Sequence, residues 1–364
     1  MDTDLNTDLN TESSAGGTSI GAVRSDDSFD VARADTWLKG QLDLAGAPTV
    51  RQFTGGASNL TYLLRYPSGT ELILRRPPAG APAAAHDMAR EYRVQELLKP
   101  VFPYVPTMRA LCRDHAVVGS DFYVMDRVAG LIPRGEARLE QPLAPASCRA
   151  LAETFVDTLV QLHAIDPDGS GLRAIGKGGD YVVRQVDGWT RRYTRARTDN
   201  TPSFERVTRW LSEHRPSELS SCVVHNDWRL DNIVLDPSDM SVVGVLDWEL
   251  ATLGNPLMDL GNAMAYWVDA DDDRVALAYQ RQPSSLPGML TRDEIVDRYL
   301  DRAGLSTRDW PFYEIFGLFR LAGIAQQIYT RYHHGHTTNP EFRDLWVFVN
   351  YLDWRCQSII SKNP

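Results

Sequence analysis

His225-Asn226-Asp227-Trp228-Arg229-Leu230-Asp231-Asn232 is followed, one short hairpin later, by Val245-Leu246-Asp247-Trp248-Glu249. Between them, Ile233 to Leu235 and Val242 to Leu246 are short apolar runs flanking Asp236-Pro237-Ser238-Asp239-Met240, whose residue types favour a tight turn. Two such strands folded back antiparallel bring their outer ends together, so Asn232 and Asp247 become neighbours although fifteen positions separate them. An amide oxygen and a carboxylate then face a common point. Mg2+ is held in that manner, by one or two carboxylates together with substrate phosphates and water. Asp227 stands five residues ahead of Asn232, where it can accept a proton from an attacking hydroxyl while the cation neutralises phosphate charge. This pattern of residue types points to metal-assisted phosphoryl transfer.

The His-x-Asp-x-x-x-x-Asn spacing is that of the catalytic loop of eukaryotic protein kinases, in which the Asp is the base and the Asn a metal ligand. With the second acid at Asp247 and the continuation Gly254-Asn255-Pro256-Leu257-Met258-Asp259-Leu260-Gly261, the chain resembles the aminoglycoside phosphotransferase-like family. That family shares the protein-kinase-like fold with choline kinases, and it is similar to the kinase domains fused to acyl-CoA dehydrogenases. The resemblance covers nearly everything after the first few tens of residues. It implies an α+β, two-lobed, protein-kinase-like fold with a small β-sheet lobe at 28–126 that binds nucleotide, a hinge near Asp126, and a larger, mainly helical catalytic and acceptor-binding lobe at 127–364.

The same resemblance implies ATP, with GTP as the alternative nucleotide, and Mg2+, with the γ-phosphoryl group passing to the hydroxyl of a small molecule. Asp227 takes the catalytic role, and Asn232 and Asp247 the metal. Asn226 stands where protein kinases carry the Arg of His-Arg-Asp, Asp247-Trp248-Glu249 replaces Asp-Phe-Gly, and no Ala-Pro-Glu follows. These departures favour a small-molecule kinase over a protein kinase. The alternative from another class, a nucleotide-binding pseudokinase or scaffold, predicts eroded metal ligands, whereas both are present. The acceptor stays open between an aminoglycoside and a hydroxy acid or hydroxyacyl thioester. The Leu74-Arg75-Arg76-Pro77-Pro78 run and the Trp248 to Pro256 run look more like the dehydrogenase-fused kinases.

Upstream, Val50 to Phe53 and Leu60 to Leu64 read as strands around Thr54-Gly55-Gly56-Ala57-Ser58-Asn59. Gly55 and Gly56 allow close backbone approach to phosphates and Ser58 or Asn59 can add a donor; a plain turn is the alternative, and the family's nucleotide loop lies at this position. Glu71 to Arg76 is a third strand, on which Arg75 falls where kinases carry the strand Lys, while Arg76 points to the opposite face and is expected to be solvated. Glu91, on a helix over His86 to Leu98, matches the family's ion-pair partner for Arg75. Phe122 to Gly130 is a strand leading into the hinge, where the resemblance implies that the backbone of Asp126 and Val128 holds adenine. The pattern also implies that Asp259, on the helix after the metal loop, accepts backbone N–H groups of the loop around His225.

Ser28 can cap a helix carrying Val31, Trp37, Leu38, Leu42 and Leu44. Beyond the hinge, Leu151, Phe155, Leu159 and Leu162 mark a helix ending at His163, a structural helix-end group, and the five glycines from Gly169 to Gly179 form a flexible connector. A helix over Tyr181 to Arg197 carries Trp189, Arg191, Arg192 and Tyr193, in a region that commonly shapes the acceptor pocket in this family. Arg320, Gln326, Gln327, Tyr329 and Arg331 interrupt a later aromatic stripe, as acceptor-lining or surface groups.

Composition excludes several classes. The chain has 364 residues, 43% apolar and 24% charged, enough for two cores and ordinary for a globular protein. Residues 1–28 hold six acids against Arg24 alone and account for half of the net charge of −10, so the body is only mildly acidic and offers no broad nucleic-acid surface. Residues 1–27 cannot bury enough apolar area to offset their ordering entropy and are expected to be a disordered acidic tail. The four cysteines lack metal-ligand spacing, and no apolar run reaches membrane-span length. A cytoplasmic enzyme with a small-molecule partner and neither nucleic acid nor membrane follows, its oligomeric state undetermined.

Overall fold

The computed structural model describes residues 12–13, 19–53, 59–78, 87–134, 143–217, 219 and 221–364. In chain order the strands are β1 (Glu12–Ser13), β2 (Ser19–Gly21), β3 (Thr49–Phe53), β4 (Leu60–Arg65), β5 (Glu71–Arg76), β6 (Met108–Cys112), β7 (Phe122–Asp126), β8 (Cys222–Val224), β9 (Ile233–Leu235), β10 (Val242–Val245) and β11 (Thr252–Gly254). The helices are α1 (Val31–Lys39), α2 (Met88–Leu98), α3 (His115–Val118), α4 (Pro145–His163), α5 (Tyr181–Ala196), α6 (Glu205–Glu213), α7 (Pro256–Ala265), α8 (Arg274–Ala278), α9 (Arg292–Ala303), α10 (Trp310–His333) and α11 (Leu345–Lys362). The chain divides into two compact units, residues 1–133 with 233–249, and residues 134–232 with 250–364. The β9–β10 hairpin belongs to the first of these units.

The first unit is an antiparallel sheet in the order β1-β2-β3-β4-β5-β7-β6. Strand periodicity assigns its two faces. Tyr62, Leu64, Leu72, Leu74, Phe122 and Val124 pack with Ala34 and Leu38 of α1 and with Val117 and Val118 of α3. Leu63, Ile73, Tyr123 and Met125 face the other way, onto Met88 of α2 and Ile20. A sheet covered on both sides needs near-continuous apolar runs, which is why Leu-Ile-Leu and Phe-Tyr-Val-Met stand in β5 and β7.

The N-terminal segment departs from expectation within that unit. Ser19–Gly21 adds to the sheet, pairing Ile20 with Phe53, so part of the expected disordered tail is ordered. Asp30, not Ser28, caps α1 by accepting from the Arg33 amide, because the Ser28 hydroxyl is engaged with the Ser25 carbonyl. The helix stops at Lys39, and Leu42 and Leu44 pack on the same core from beyond it. Arg76 is 5% exposed rather than solvated. It lies on the expected face, but that face is roofed by Phe29 and Tyr62, whose rings it covers at 5.7 and 5.6 Å, while it donates to the Asp27 carbonyl at 2.7 Å.

The β9–β10 hairpin pairs Ile233 with Val245, so Asn232 stands one residue before the last pair and Asp247 two residues after it. Leu131 bridges Leu235, and Val245 donates to the Tyr104 carbonyl, which fixes the hairpin within the first unit.

The second unit is helical apart from the β8–β11 pair. The connector holds a short 3-10 turn, Leu172–Ile175, whose Leu172 and Ile175 are buried, instead of being flexible throughout. Trp228 and Trp267 pack on Phe155 of α4, with ring centroids 6.0 and 5.1 Å away. Helix α10 packs against α5, α7 and α11. Its crossing with α7 is close because glycine faces glycine: a Cβ on Gly317 would lie 2.1 Å from the Gly261 carbonyl oxygen. A backbone carbonyl cannot swing aside. Gly317→Ala gains about 1 kcal/mol of helix propensity but forces the helices apart at an overpacking cost of about 1–3 kcal/mol. It is therefore expected to lower the urea midpoint with an unchanged slope.

Candidate active site

The loop after β8 is held from several directions within the second unit. Asp259, fully buried in the first turn of α7, accepts the backbone N–H of His225 at 2.6 Å and that of Asn226 at 2.7 Å. His163, at the end of α4, approaches the same carboxylate at 3.2 Å through Nε2 and reaches the Tyr299 hydroxyl at 2.6 Å through Nδ1. Burial alone would raise the pKa of Asp259, but the His163 side chain and the His225 amide pull it below the usual carboxylate value.

Asn226 sits in the left-handed region at φ 65°. Asn is among the few non-glycine residues that tolerate this conformation. Its side chain accepts from the Tyr181 hydroxyl at 2.9 Å and donates to the Leu250 carbonyl at 3.1 Å, while its carbonyl accepts from Arg320 at 2.7 Å. Every polar group of Asn226 is therefore fixed, and the next residue is Asp227.

Asn232 donates through Nδ2 to the Asp227 carbonyl at 2.9 Å and to Asp227 Oδ2 at 3.0 Å. This orientation leaves Asn232 Oδ1 as the atom a hard cation would take, so the donor set suits Mg2+. Among the described residues no group of three or more His, Cys, Asp or Glu could hold a metal ion. Arg229 lies over the Tyr266 ring at 4.8 Å, donates to Asp231 at 2.9 Å and stands 3.5 Å from Asp227 Oδ1. Burial pushes the Asp231 carboxyl up against the pull of Arg229.

The first unit carries its own charged cluster. Arg75 donates to Glu91 at 2.8 Å and to Asp247 at 3.2 Å, and Tyr123 donates to Glu91 at 2.7 Å. Burial by itself would lower the Arg75 pKa, but Glu91, Tyr123 and Asp247 beside it drive it well above the ordinary arginine value. Asp247 is left-handed at φ 67°, a cost of order 1–3 kcal/mol at the residue where the chain leaves the hairpin. Asn59 is buried and donates to Glu249 at 3.2 Å. Gly55, Gly56 and Ser58 lie outside the described residues. At the expected hinge the Asp126 carboxylate is paired with Arg109 and its N–H is committed to the Thr107 carbonyl, while Val128 packs over Gly244 of β10.

The model of the phosphotransferase enzyme family, APH, matches residues 49–295. The chain belongs to this family. It is 34% identical over 302 residues to the mouse acyl-CoA dehydrogenase family member 10, covering 82% of this chain but 28% of that protein. The chain spans less than half the length of the curated relatives it matches. A Ralstonia eutropha crystal structure, provisionally described as an aminoglycoside phosphotransferase, superposes with a TM-score of 0.78 at 30% identity, covering 92% of this chain and 99% of that one. A choline kinase from Cryptosporidium parvum, at 10% identity and a TM-score of 0.57, covers 86% of this chain and 89% of its own and shares the fold. The α+β kinase-like architecture expected from the sequence is thus the family's architecture. No helix among the described residues is long and apolar enough to cross a membrane.

Sequence reasoning missed the second layer of this family site. His163 passes as a helix-end group, yet it contacts Asp259. Arg229 lies within the motif but has no reading of its own until its stack on Tyr266 is seen. Arg320 appears only as a polar exception, and the signal available was a cation at a buried position of a long apolar helix.

The Asp259 geometry sets a test. Asp259→Asn puts amide hydrogens where two N–H donors point, an expected loss of about 1–3 kcal/mol. Since the folded carboxyl binds its proton less tightly than the unfolded one, its stabilisation is complete above the ordinary Asp range and is lost as pH falls through the lower folded value. The stability gap between wild type and Asp259→Asn is therefore expected to be flat from neutral pH to about pH 5 and to close in acid, as read by denaturant titrations across pH.

Proposed function

We propose that the chain is an ATP-dependent small-molecule kinase that transfers the γ-phosphoryl group to a substrate hydroxyl. The observation that carries this reading is the Asn232 amide, which donates through Nδ2 to Asp227 Oδ2 and to the Asp227 carbonyl and so keeps its Oδ1 as the atom a cation would take. Asp227 receives the hydroxyl proton as the acceptor oxygen attacks phosphorus, and the leaving group is the β-phosphate oxygen of the nucleotide. Asn232 and Asp247 are the residues that would hold Mg2+. When bound, it would neutralise charge on the transferring phosphate. Arg75, kept charged by Glu91, pairs with the α and β phosphates. The hinge carbonyl of Asp126 and the N–H of Val128 take adenine, with guanine as the alternative base. Gly55, Gly56, Ser58 and Asn59 belong to the loop that covers the phosphates. We place the enzyme in the cytoplasm, with a small molecule and neither nucleic acid nor membrane as its partner.

A pseudokinase scaffold would have no use for the ordered Asp227–Asn232 pair or for a strained Asp247. Replacing Asp227 separates the two. Asp227→Ala is expected to cut phosphate transfer by about 10²–10⁴-fold, while equilibrium dialysis still shows nucleotide bound with wild-type affinity. Undiminished transfer in that variant overturns the assignment of the base, and absence of ATP turnover in the wild type with every hydroxyl acceptor tried supports the scaffold.

A further inference from the structure

Helix α11 is apolar on both of its faces. Leu345, Val349, Leu352, Cys356 and Ile360, at helical spacing, are buried within the second unit. The opposite face carries Trp346, Val347 and Trp354, which are 38%, 36% and 59% exposed. Leu277 of α8, 38% exposed, stands one helical turn beyond Asp273, the residue to which the Tyr351 hydroxyl donates at 2.7 Å. Four of the six large apolar side chains exposed among the described residues thus gather on two neighbouring helices. The rings around them are already ordered: Tyr279 stacks on Phe348 with centroids 4.5 Å apart, Phe348 on Tyr351 at 6.3 Å, and Tyr351 on Trp354 at 5.8 Å. Single exposed apolar residues need no account, but two indoles on one helix face are the kind of rigid aromatic anchor in which interfaces are enriched.

The order of residues along this face points to its occupant. Trp346 and Trp354 lie four residues to either side of Asn350, on one i, i+4 ridge. Asp344 and Arg355 stand eleven residues apart, close to three whole turns, so they share one edge of the face, six residues before Asn350 and five after it. Asp344 is exposed and Arg355 half-buried, and neither side chain has a hydrogen bond or ion pair among the described residues. If a second α11 is laid antiparallel across a two-fold axis at Asn350, Trp346 meets Trp354 of the second copy and Asp344 meets its Arg355, and both contacts occur twice. Asn350 donates to the Asn200 and Trp346 carbonyls at 3.1 and 2.9 Å, so covering this central amide orphans neither of its donors. A chemically different partner requires no mirror order of aromatic and charged residues about one position. A second copy of the same helix does.

We infer that α11 and α8 form a homodimer interface, in which two copies of the chain pack antiparallel through the Trp346–Trp354 ridge about a two-fold axis at Asn350, with Asp344–Arg355 pairs closing one edge. Ridge against identical ridge is the commonest helix packing class, and a two-fold axis is compatible with it because both helices use the same row. The face belongs to the second unit alone, so the dimer stands whether or not the chain transfers phosphate.

Sedimentation equilibrium of the full chain from low micromolar to a few hundred micromolar tests it. The wild type is expected to pass from monomer to dimer in this range, as a small interface does. Trp354→Ala, which leaves the buried face of α11 untouched, is expected to weaken the dimer about thirtyfold or more, the loss of an anchor residue. Val101→Ser, at an exposed apolar residue of the first unit, is expected to leave it unchanged. Charge reversal reads the register. Asp344→Arg and Arg355→Asp are each expected to associate about tenfold more weakly or worse, because like charges then face each other, whereas an equimolar mixture of the two variants regains wild-type affinity, because every facing pair is again of opposite sign. Should Trp354→Ala melt earlier than the wild type, the mixture decides alone, since restored association needs folded chains. A wild type that stays monomeric throughout overturns the proposal and leaves the face to a different protein. A dimer that survives Trp354→Ala, or that Val101→Ser dissociates equally, lies elsewhere and overturns it, as does a mixture that fails to associate.

Discussion

A buried carboxylate organises the second unit. Desolvating an ionised Asp costs several kcal/mol unless its lone pairs are filled, and Asp259 fills them with two backbone N–H groups and His163. Those bonds hold the loop in the one conformation where Asn226 is left-handed, which turns the chain sharply before Asp227. The anchor is only as firm as its helix. Helix α7 is fixed against α10 through the Gly261–Gly317 crossing, and α10 returns Arg320 to the Asn226 carbonyl. Loop, anchor and brace therefore form a closed circuit in which every member is buried, and charge-assisted hydrogen bonds contribute most where water is excluded.

The first unit solves a different electrostatic problem with the same economy of groups. Adjacent residues of one strand, Arg75 and Arg76, must face opposite sides of a sheet that is covered on both. Arg75 meets carboxylates, and the cluster of Arg75, Glu91, Asp247 and Tyr123 leaves the cation charged and pre-aimed. Arg76 meets aromatic faces and the Asp27 carbonyl, neutral partners that satisfy its donors without a second buried anion. One arginine is thereby kept charged among carboxylates and the other holds residues 27–29 over the sheet.

This contrast marks where the sequence was legible. The hairpin could be read because both strands and the turn are local; its register could not, since it shifts at a bulge between Val242 and Gly244 before Val245 pairs with Ile233. The Arg75–Glu91 pair is implied by the family resemblance and not by periodicity, which alone leaves a helix Glu in solvent; the two groups do meet, at 2.8 Å. The burial of Arg76 could not be read, because its cover comes from Phe29 and Tyr62, and nothing in the Leu-Arg-Arg-Pro pattern says that a segment 47 positions upstream crosses that face. The Ser28 cap failed for a similar reason. Several hydroxyls and carboxylates near a helix start compete, and Asp30 wins because Ser28 is already bonded backwards to Ser25. The brace on Asn226 was invisible because it arrives from α10, 94 residues away.

The position of that brace bears on how one fold serves many acceptors. A shared fold does not fix a substrate, which is chosen by side chains grafted onto it. The matched family region, 49–295, contains Arg75, the Asp227 loop, Asp247 and Asp259, the groups to which the proposed function gives the phosphate and the anchoring of the loop. Helix α10, Trp310–His333, lies beyond that region, yet it supplies the cation that reaches the Asn226 carbonyl. An element outside the common part can thus vary its exposed neighbours while one of its residues remains tied to the loop before Asp227. A single rigid guanidinium, that of Arg320, contacts both the Asn226 carbonyl and the indole of α5. The α5 indole and the Asn226 loop are then joined through one side chain, a constraint that limits which residues α5 can present without loosening that loop.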